Sequence, residues 1–332
     1  MENALLKIAK QFDKNAASVE ILAECRNLIY KVNCSNDTND LNDLFVLRLS
    51  SEWHRNAQQV ESELDFLNYL FCNGADVAKP LKTESGESYV EFEIDNSHYI
   101  VSAFEYAAGK NWDERNDHSE EVYQKIGKAL GKIHRLSKGY KPVNVAKRRL
   151  WSEQQELQKA DVLFKNYDAV LYDKFMEFMR QMKKEENEDN FGLTHGDYLV
   201  SNYLIDADNN IKVIDFDECE YSWFAVDLAI CMRCYLFWTE HPEELPNKAK
   251  EAEIMHYNLL LGYSSENKVG KEMVFELEKY IKIRDYIELS QILEQKELND
   301  LEKTLFKMNL DRVLNDTPFL EFSTARAEKL LV

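Results

Sequence analysis

The sequence predicts an α+β fold of two lobes, with a small five-stranded antiparallel lobe first and a mainly helical lobe after it. Three observations lead to this prediction. The chain has 332 residues, which exceeds one ordinary domain. Short apolar runs bounded by polar turns dominate residues 1–104, whereas helical patterns dominate residues 105–332. Hydrophobic residues make up 45% of the chain and aromatic residues 12%, which excludes wholesale disorder.

The small lobe is expected to start with a helix, to contain five strands, and to carry one more helix between the third and fourth strands. Residues Glu2 to Phe12 show helical spacing of apolar side chains, and Asn56 to Asn73 form a second amphipathic helix. The strands are predicted at Val19–Leu22, Leu28–Val32, Leu44–Leu49, Tyr89–Ile94 and His98–Phe104.

The second lobe is expected to follow a connector at Glu105 to Gly109. Its helical stretches are predicted at Val122–Leu136, Arg148–Lys184, Ala225–Trp238, Pro246–Tyr263 and Lys271–Leu310. The first of them contains I-G-K-A-L-G-K-I-H, whose glycines allow two helices to pack closely, and we expect His134 there to be structural. The charged run from Lys183 to Asp189 predicts a solvated loop.

A β-hairpin is predicted within the helical lobe. Two apolar runs, Tyr203–Ile205 and Ile211–Ile214, are joined by a five-residue polar loop. Asn202 comes just before the first strand and Asp215 just after the second, so both side chains should lie at the open end. Asp197 comes five positions before Asn202, in the loop that leads into the hairpin. Three oxygen-bearing side chains should therefore converge, and Mg²⁺ prefers such ligands.

The order H-G-D-x-x-x-x-N, hairpin, I-D-F-D resembles the catalytic loop and metal-binding aspartate of the aminoglycoside phosphotransferase and choline kinase family. Those enzymes are the small-molecule relatives of protein kinases. Taken singly, such residues are more typical of caps and Asx-turns. The resemblance implies a bilobal protein-kinase-like fold with the active site between the lobes, divided into a nucleotide-binding lobe at 1–104 and a catalytic and substrate-binding lobe at 105–332. The matching residues are His195, Gly196, Asp197, Asn202, Asp215 and Asp217.

The resemblance also implies a reaction, in which the γ-phosphate of ATP or GTP moves to a hydroxyl group of a small molecule with Mg²⁺ as cofactor. Asp197 would accept or orient the proton of that hydroxyl group, and Asn202 and Asp215 would hold the metal ion. His195 would brace the catalytic loop rather than react. Asp227, in W-F-A-V-D-L-A, matches an aspartate that steadies this loop in the family.

The nucleotide site departs from the usual pattern at two places. The third strand normally carries a lysine, but V-L-R-L places Arg48 there, with Glu63 as its expected partner and Glu61 as the alternative. An outward charge on an edge strand is the other interpretation of Arg48. The loop from Ala23 to Asn27 contains no glycine, although N-L-I-Y resembles the continuation seen in the family. The expected nucleotide-binding residues are Arg48, Glu63, Asn27, Glu105 and Tyr106.

The acceptor site is expected directly after the hairpin. Acidic groups beside aromatic rings suit an ammonium group through ion pairing and cation–π contact, although ordinary surface polarity explains them as well. Asp217 could instead be a second metal contact or a loop-stabilising group. The expected substrate-binding residues are Asp217, Glu218, Glu220 and Trp223.

Charge and composition exclude several function classes. The formal net charge is −19, so nucleic acid is not an expected partner. No run of about 18 apolar residues predicts a membrane span, and the charged N-terminus lacks the apolar centre of a signal peptide. Cys231 and Cys234 lie in an apolar stretch without a second pair at zinc-ligand spacing. We therefore expect free thiols in a cytoplasmic protein.

Two other functions stay open from the sequence. Arg48 and the glycine-free loop are compatible with a catalytically silent binding module. A protein Ser/Thr kinase is less favoured, because no A-P-E-like anchor follows Asp215. The acceptor itself stays open among aminoglycosides, choline-like amines, homoserine-like amino alcohols and sugars, and so does the oligomeric state.

Overall fold

The computed structural model describes residues 2–34, 43–94, 97–115, 118–143, 148–238 and 248–331, and its chain forms two compact units. The first, called the sheet unit below, comprises Met1–Arg115, Gly139–Arg148 and Asn202–Asp217. The second, called the helical unit, comprises Asn116–Lys138, Arg149–Ser201 and Glu218–Val332. The hairpin predicted inside the helical lobe thus belongs by its contacts to the sheet unit. The lobe boundary at residue 104 stays a prediction.

The sheet unit is built on one antiparallel sheet in the order β1-β2-β3-β6-β4, with β5 also paired to β6. All five predicted strands and both predicted helices are present. Two further strands of two residues each, β4 and β7, and the four-residue helix α3 were missed, because such short runs carry no periodic pattern. The elements are α1 (Glu2–Phe12), β1 (Ser18–Glu24), β2 (Asn27–Asn33), β3 (Leu44–Ser51), α2 (Ala57–Cys72), β4 (Pro80–Leu81), β5 (Val90–Ile94), β6 (Ser97–Glu105), β7 (Lys110–Asn111) and α3 (Trp112–Arg115).

The two long helices of this unit cover opposite faces of the sheet. Val101 of β6 belongs to the core that Leu5 and Ile8 of α1 complete. The preceding residue, Ile100, packs instead with Val60 and Leu64 of α2. Because successive side chains of a strand point to opposite faces, both faces are shielded from water.

The rest of the chain is mainly helical, as predicted. Two stretches expected to be continuous are divided, however, because Asp168 caps the start of one new helix and Asn299 that of another. The elements are α4 (Glu120–Ser137), a 3₁₀ turn (Trp151–Glu153), α5 (Gln155–Tyr167), α6 (Ala169–Met182), β8 (Phe191–Thr194), β9 (Tyr203–Ile205), β10 (Ile211–Val213), β11 (Glu220–Trp223), α7 (Phe224–Trp238), α8 (Ala249–Ser264), α9 (Lys271–Phe275), α10 (Leu277–Leu293), α11 (Asp300–Asn315) and a second 3₁₀ turn (Ala327–Leu330). The predicted helix start at Pro246 lies outside the described residues.

Helices α4 and α8 contact each other backbone to backbone. A Cβ atom added to Gly127 would lie 1.9 Å from the carbonyl oxygen of Leu259, and one added to Gly262 would lie 1.8 Å from that of Gln124. The prediction that the glycines of α4 allow close helix packing is therefore confirmed. His134, on the same helix, is fully buried.

The six cysteines are free thiols, and Cys219, Cys231 and Cys234 are buried. Within the described ranges, none of the helices combines the length and the apolar character that a membrane crossing requires.

Candidate active site

The hairpin of the sheet unit has the predicted form. Strands β9 and β10 pair antiparallel, and the carboxylate of Asp206 accepts hydrogen bonds from backbone amides within the connecting turn, including that of Asn210 at 2.8 Å. The amide of Ile214 donates to the carbonyl oxygen of Asn202 at 2.9 Å, which extends the pairing beyond the strands. Asn202 and Asp215 therefore flank the open end of the hairpin side by side.

Asp215 has an unusual backbone. Its φ angle is 61°, in the left-handed region that non-glycine residues rarely adopt. The residue is exposed, while the next residue, Phe216, is fully buried and packs edge-on against Phe66 of α2 at 6.1 Å between ring centroids. This backbone turn presents the Asp215 side chain on the surface of the sheet unit. Carboxylate and amide oxygens fit a hard cation such as Mg²⁺.

Arg48 forms a buried ion pair. Two of its guanidinium nitrogens donate to the two carboxylate oxygens of Glu63, each at 2.7 Å, and both side chains are almost fully buried. Glu63, and not the alternative Glu61, is thus the partner. Burial alone would lower the pKa of Arg48, but the charge of Glu63, followed by those of Asp217 and Asp215, raises it above its ordinary value.

The pair also corrects the interpretation of Arg48 as an outward charge on an edge strand. Its strand, β3, lies between β2 and β6 in the sheet. A bidentate arginine–carboxylate pair fixes both side chains in one geometry, so Arg48 is held in one position on β3.

Asp217 is the centre of a polar cluster in the sheet unit. Its carboxylate accepts hydrogen bonds from Asn27 Nδ2 at 3.3 Å and Arg55 Nε at 2.9 Å, and lies 2.7 Å from His54 Nε2. Burial by itself would raise the pKa of Asp217. The hydrogen bond from His54 and the charges of Arg48 and Arg55 outweigh it and hold that pKa well below its usual range. These contacts favour the loop-stabilising alternative over a metal or substrate contact.

The other residues expected to bind nucleotide lie in the same unit. The side-chain oxygen of Asn27 accepts from Ser50 Oγ at 2.8 Å, so both ends of the Asn27 amide are engaged within the protein. Glu105 ends β6, with half of its side chain exposed, and pairs with Lys79 at 3.1 Å. Tyr106 follows it and is half-buried. The nucleotide-binding roles of these residues stay predictions.

In the helical unit, Asp227 holds the catalytic loop. Its two carboxylate oxygens accept from the backbone amides of His195 at 2.8 Å and Gly196 at 2.9 Å, and one of them lies 2.9 Å from His134 Nε2. Asp227, His195 and His134 are fully buried. Burial lowers the pKa of His134, although the hydrogen bond to Asp227 opposes this shift. These are the contacts expected of residues that support the loop.

The glycine of the His-Gly-Asp motif has a structural reason. Gly196 has a φ angle of 79°, and a Cβ atom there would lie 2.2 Å from the carbonyl oxygen of Glu218. Only glycine fits this position. The loop begins where β8 ends, and β8 pairs with β11 through Thr194 and Glu220.

Asp197, the expected catalytic base, is half-buried. Its amide donates to His195 Nδ1 at 3.3 Å, and its Oδ1 lies 3.8 Å from Nη2 of Arg284 on α10. Sequence reasoning missed Arg284, because an arginine in a charged helix gives no local signal of a contact with a distant loop.

The acidic segment after the hairpin forms ion pairs within the helical unit. Arg149 pairs with Glu218 at 2.7 Å and with Glu220 at 2.9 Å. Burial raises the pKa of Glu220 to about 7, and Arg149 opposes this shift only in part. Trp223 is fully buried and packs against Trp151 at 4.8 Å between ring centroids. The carboxylates are paired internally and the indole is a core residue. The substrate-binding role of these three residues stays a prediction.

Comparison with known proteins gives both a family and relatives. The model of a family described as "Phosphotransferase enzyme family" matches residues 30–257, which is more than half of the chain. Among curated proteins, amicoumacin kinase of Bacillus subtilis (strain 168) is 26% identical over 328 residues, covering 97% of this chain and 94% of that protein.

Solved structures give the same picture at the level of the fold. An amicoumacin kinase in complex with AMP-PNP, Ca²⁺ and Ami superposes with a TM-score of 0.83 at 21% identity, covering 98% of this chain and 97% of that one. A microcompartment-associated aminopropanol kinase reaches a TM-score of 0.66 at 18% identity, covering 95% and 98%. The predicted kinase-like α+β fold is confirmed.

Proposed function

Because the chain belongs to the phosphotransferase enzyme family, we propose that it transfers the γ-phosphoryl group of ATP or GTP to a hydroxyl group of a small molecule, with Mg²⁺ as cofactor. The observation that carries this proposal is the end of the hairpin, where Asn202 and the exposed Asp215 lie side by side in the sheet unit. Phosphoryl transfer depends mainly on positioning and charge neutralisation, and the residues of each unit are suited to one of these tasks.

The sheet unit would bind the nucleotide. Arg48, fixed by Glu63, would place a positive charge toward the phosphates, and Glu105 and Tyr106 would contact the base from the end of β6. Asn202 and Asp215 would hold Mg²⁺, which neutralises phosphate charge when it is bound. The Asp217 cluster would hold the turn at Asn27 in place.

The helical unit would supply the base. Asp227 fixes the amides of His195 and Gly196, and this fixes the backbone that leads into Asp197. The Asp197 carboxylate would then accept the proton of the acceptor hydroxyl group. Phosphoryl transfer needs only this one proton to move, so a single positioned carboxylate is sufficient.

The proposed acceptor is an amine-bearing alcohol. Two relatives support this class, an amicoumacin kinase that matches over nearly the whole chain and an aminopropanol kinase. The net charge of −19 would favour a cationic acceptor by electrostatic steering. Amicoumacin is the first compound to test. The six free thiols support a reducing, cytoplasmic location.

A catalytically silent binding module is the second candidate. Two observations favour it, the arginine at position 48 and the loop without glycine. The bidentate pair with Glu63 weakens the first observation, because a carboxylate holds Arg48 as it would hold a lysine. Turnover decides between the two candidates.

The test is an assay of the purified protein with ATP or GTP, with and without Mg²⁺, across amicoumacin, aminopropanol, choline, aminoglycosides and sugars. Mass spectrometry detects the phosphorylated acceptor, and a thermal-shift measurement reports nucleotide binding. We expect Mg²⁺-dependent phosphorylation of one acceptor class. Asp197→Asn should abolish turnover but keep the Mg²⁺–nucleotide shift, while the exposed control Asp300→Asn keeps both. Nucleotide binding without turnover on any acceptor would favour the silent module.

A further inference from the structure

Helix α10 carries an arginine that contacts the proposed base. Nη2 of Arg284 lies 3.8 Å from Oδ1 of Asp197 within the helical unit, and the two side chains are 28% and 24% exposed. The distance is too long for a hydrogen bond but short for two opposite charges that are mostly withdrawn from water.

Arg284 also interacts electrostatically with a carboxylate of its own helix, Glu288. Glu288 stands one turn after Arg284 and accepts two hydrogen bonds from Arg233, each at 2.7 Å, and one from Asn309 at 2.8 Å. Burial would raise the pKa of Glu288, but Arg233 and then Arg284 lower it below its ordinary value. Arg284 therefore interacts with two carboxylates, Glu288 on its own helix and Asp197 on the catalytic loop.

The helix is itself anchored by buried charge. Asp285, next to Arg284 in the chain, is fully buried and accepts a hydrogen bond from Arg312 Nε of α11 at 2.9 Å. A buried pair of this kind is costly to break, so α10 is a rigid support for the residues on its surface. A side chain on such a support can hold its partner in a defined orientation.

We propose that Arg284 is a positioning residue that keeps the Asp197 carboxylate ionised and oriented for proton acceptance. This proposal rests on the proposed function. In the reaction, the acceptor oxygen forms a bond to the γ-phosphorus, the bond from that phosphorus to the β,γ-bridging oxygen breaks, and the nucleoside diphosphate leaves with the electron pair. The hydroxyl proton passes to Asp197. A base that is already protonated cannot accept it, so a fixed cation beside the carboxylate extends the reaction to lower pH.

Other charged or titratable groups near Asp197 also affect the pKa of its carboxyl group. His195 contacts it on its own loop, through the hydrogen bond from the Asp197 amide. Asp227 accepts a hydrogen bond from the His195 amide, and Glu288 interacts electrostatically with Arg284. An opposite charge within about 4–6 Å lowers the pKa of a carboxyl group by about 1–3 units. Removing Arg284 should therefore raise the pKa of Asp197 by about one unit or more.

The first experiment measures this shift without substrate. The full-length protein is labelled with ¹³C at the aspartate carboxyl carbons and titrated by NMR, and Asp197→Asn identifies the signal. Arg284→Gln should move the titration of Asp197 upward by about one unit or more, and Arg284→Lys should restore most of the original value. The control Arg135→Gln removes an equivalent pair with Glu266 on the surface of the same unit and should leave Asp197 unchanged. An unchanged titration in Arg284→Gln would overturn the proposal.

The second experiment uses the acceptor that the substrate panel identifies. In Arg284→Gln, the apparent pKa of the acid limb of the kcat–pH profile should rise by the same amount. At pH values below that pKa, each unit of this rise lowers kcat about tenfold. The KM for Mg²⁺–ATP should stay constant. If the acid limb stays in place while the rate falls, and Arg284→Lys fails to restore it, the role is merely structural and the proposal is wrong. If no acceptor reacts, the proposed function fails, and the NMR titration still decides the role of Arg284.

Discussion

Asn27 and Asp217 are 190 positions apart in the chain and are joined by a hydrogen bond of 3.3 Å inside the sheet unit. The contact connects the start of β2 to the segment that follows the β9–β10 hairpin. His54 and Arg55 bind the same carboxylate from the turn after β3. A loop without glycine is therefore held in place by side chains from three separate segments.

Removal of the Asp217 carboxylate should destabilise the protein strongly. In Asp217→Ala, the buried Arg55 loses one ionic partner, and breaking a buried ion pair costs about 3–5 kcal/mol. Urea denaturation followed by tryptophan fluorescence measures this loss. The control Glu20→Ala removes an exposed pair with Lys31 and should cost less than about 1 kcal/mol. Equal losses in both variants would show that the cluster contributes no more than a surface pair.

Glu220 should make the protein less stable at alkaline than at acidic pH. Its folded pKa of about 7 exceeds the value of about 4.3 for an unfolded glutamate, so the folded state binds more protons between these values. Stability is therefore lost as pH rises from about 4 to 7, by about 2–4 kcal/mol. Glu220→Gln should abolish this loss and be more stable than the parent at pH 8.

The measurement for Glu220→Gln is urea denaturation at pH 5 and pH 8. Glu294→Gln is the control, since that carboxylate is partly exposed and paired with Lys159 at the surface. A parent protein that is equally stable at both pH values would contradict the raised pKa.

Gly196 should tolerate no side chain. In Gly196→Ala, the methyl group would collide with the carbonyl oxygen of Glu218, and the φ angle of 79° adds strain. We expect turnover to fall at least a hundredfold, since about 1 Å of misplacement in a catalytic group can cost this much. Gly86→Ala is the matched control, because its φ angle is 92° but no atom lies within 4 Å of the added carbon. Turnover near the parent value in Gly196→Ala would show that the loop can shift without harm.

Asp215 should be required for metal-dependent binding but not for folding. Asp215→Gly removes the carboxylate and relieves the strain of the left-handed backbone. The free energy of unfolding should therefore stay equal or rise by at most about 1 kcal/mol, and the melting temperature should not fall. The Mg²⁺-dependent part of the nucleotide thermal shift should disappear. Asn209→Gly, at the same φ angle of 61° in the hairpin turn, should keep that shift in full. A full Mg²⁺-dependent shift in Asp215→Gly would remove Asp215 from the metal site.

Local patterns predicted the parts of the site that depend on neighbouring residues. The hairpin follows from two apolar runs and a polar turn, so the placement of Asn202 and Asp215 was accessible from the sequence. The pair between Arg48 and Glu63 was accessible as well, because it joins a strand to the helix that comes next. In both cases, the chain between the partners is short and its secondary structure is strongly patterned.

Contacts between distant segments were not accessible. The pairing of Glu218 and Glu220 was not predicted, because their partner, Arg149, lies 69 and 71 positions away. Nothing near an acidic residue in the sequence shows whether a distant arginine neutralises it. The contact of Arg284 with Asp197 was missed for the same reason, and the division of the last helical stretch at Asn299 was missed because a capping box was not recognised.

The backbone contact between α4 and α8 has a consequence for engineering. His134 on α4 holds Asp227, and Asp227 holds the amides of the catalytic loop. The position of that loop therefore depends on two helix backbones that are in contact at Gly127 and Gly262, where an added side chain would collide with the other helix. Mutant libraries that seek a new acceptor should leave both glycines unvaried, because a larger residue at either position would displace the loop in every member of the library, whatever acceptor was sought.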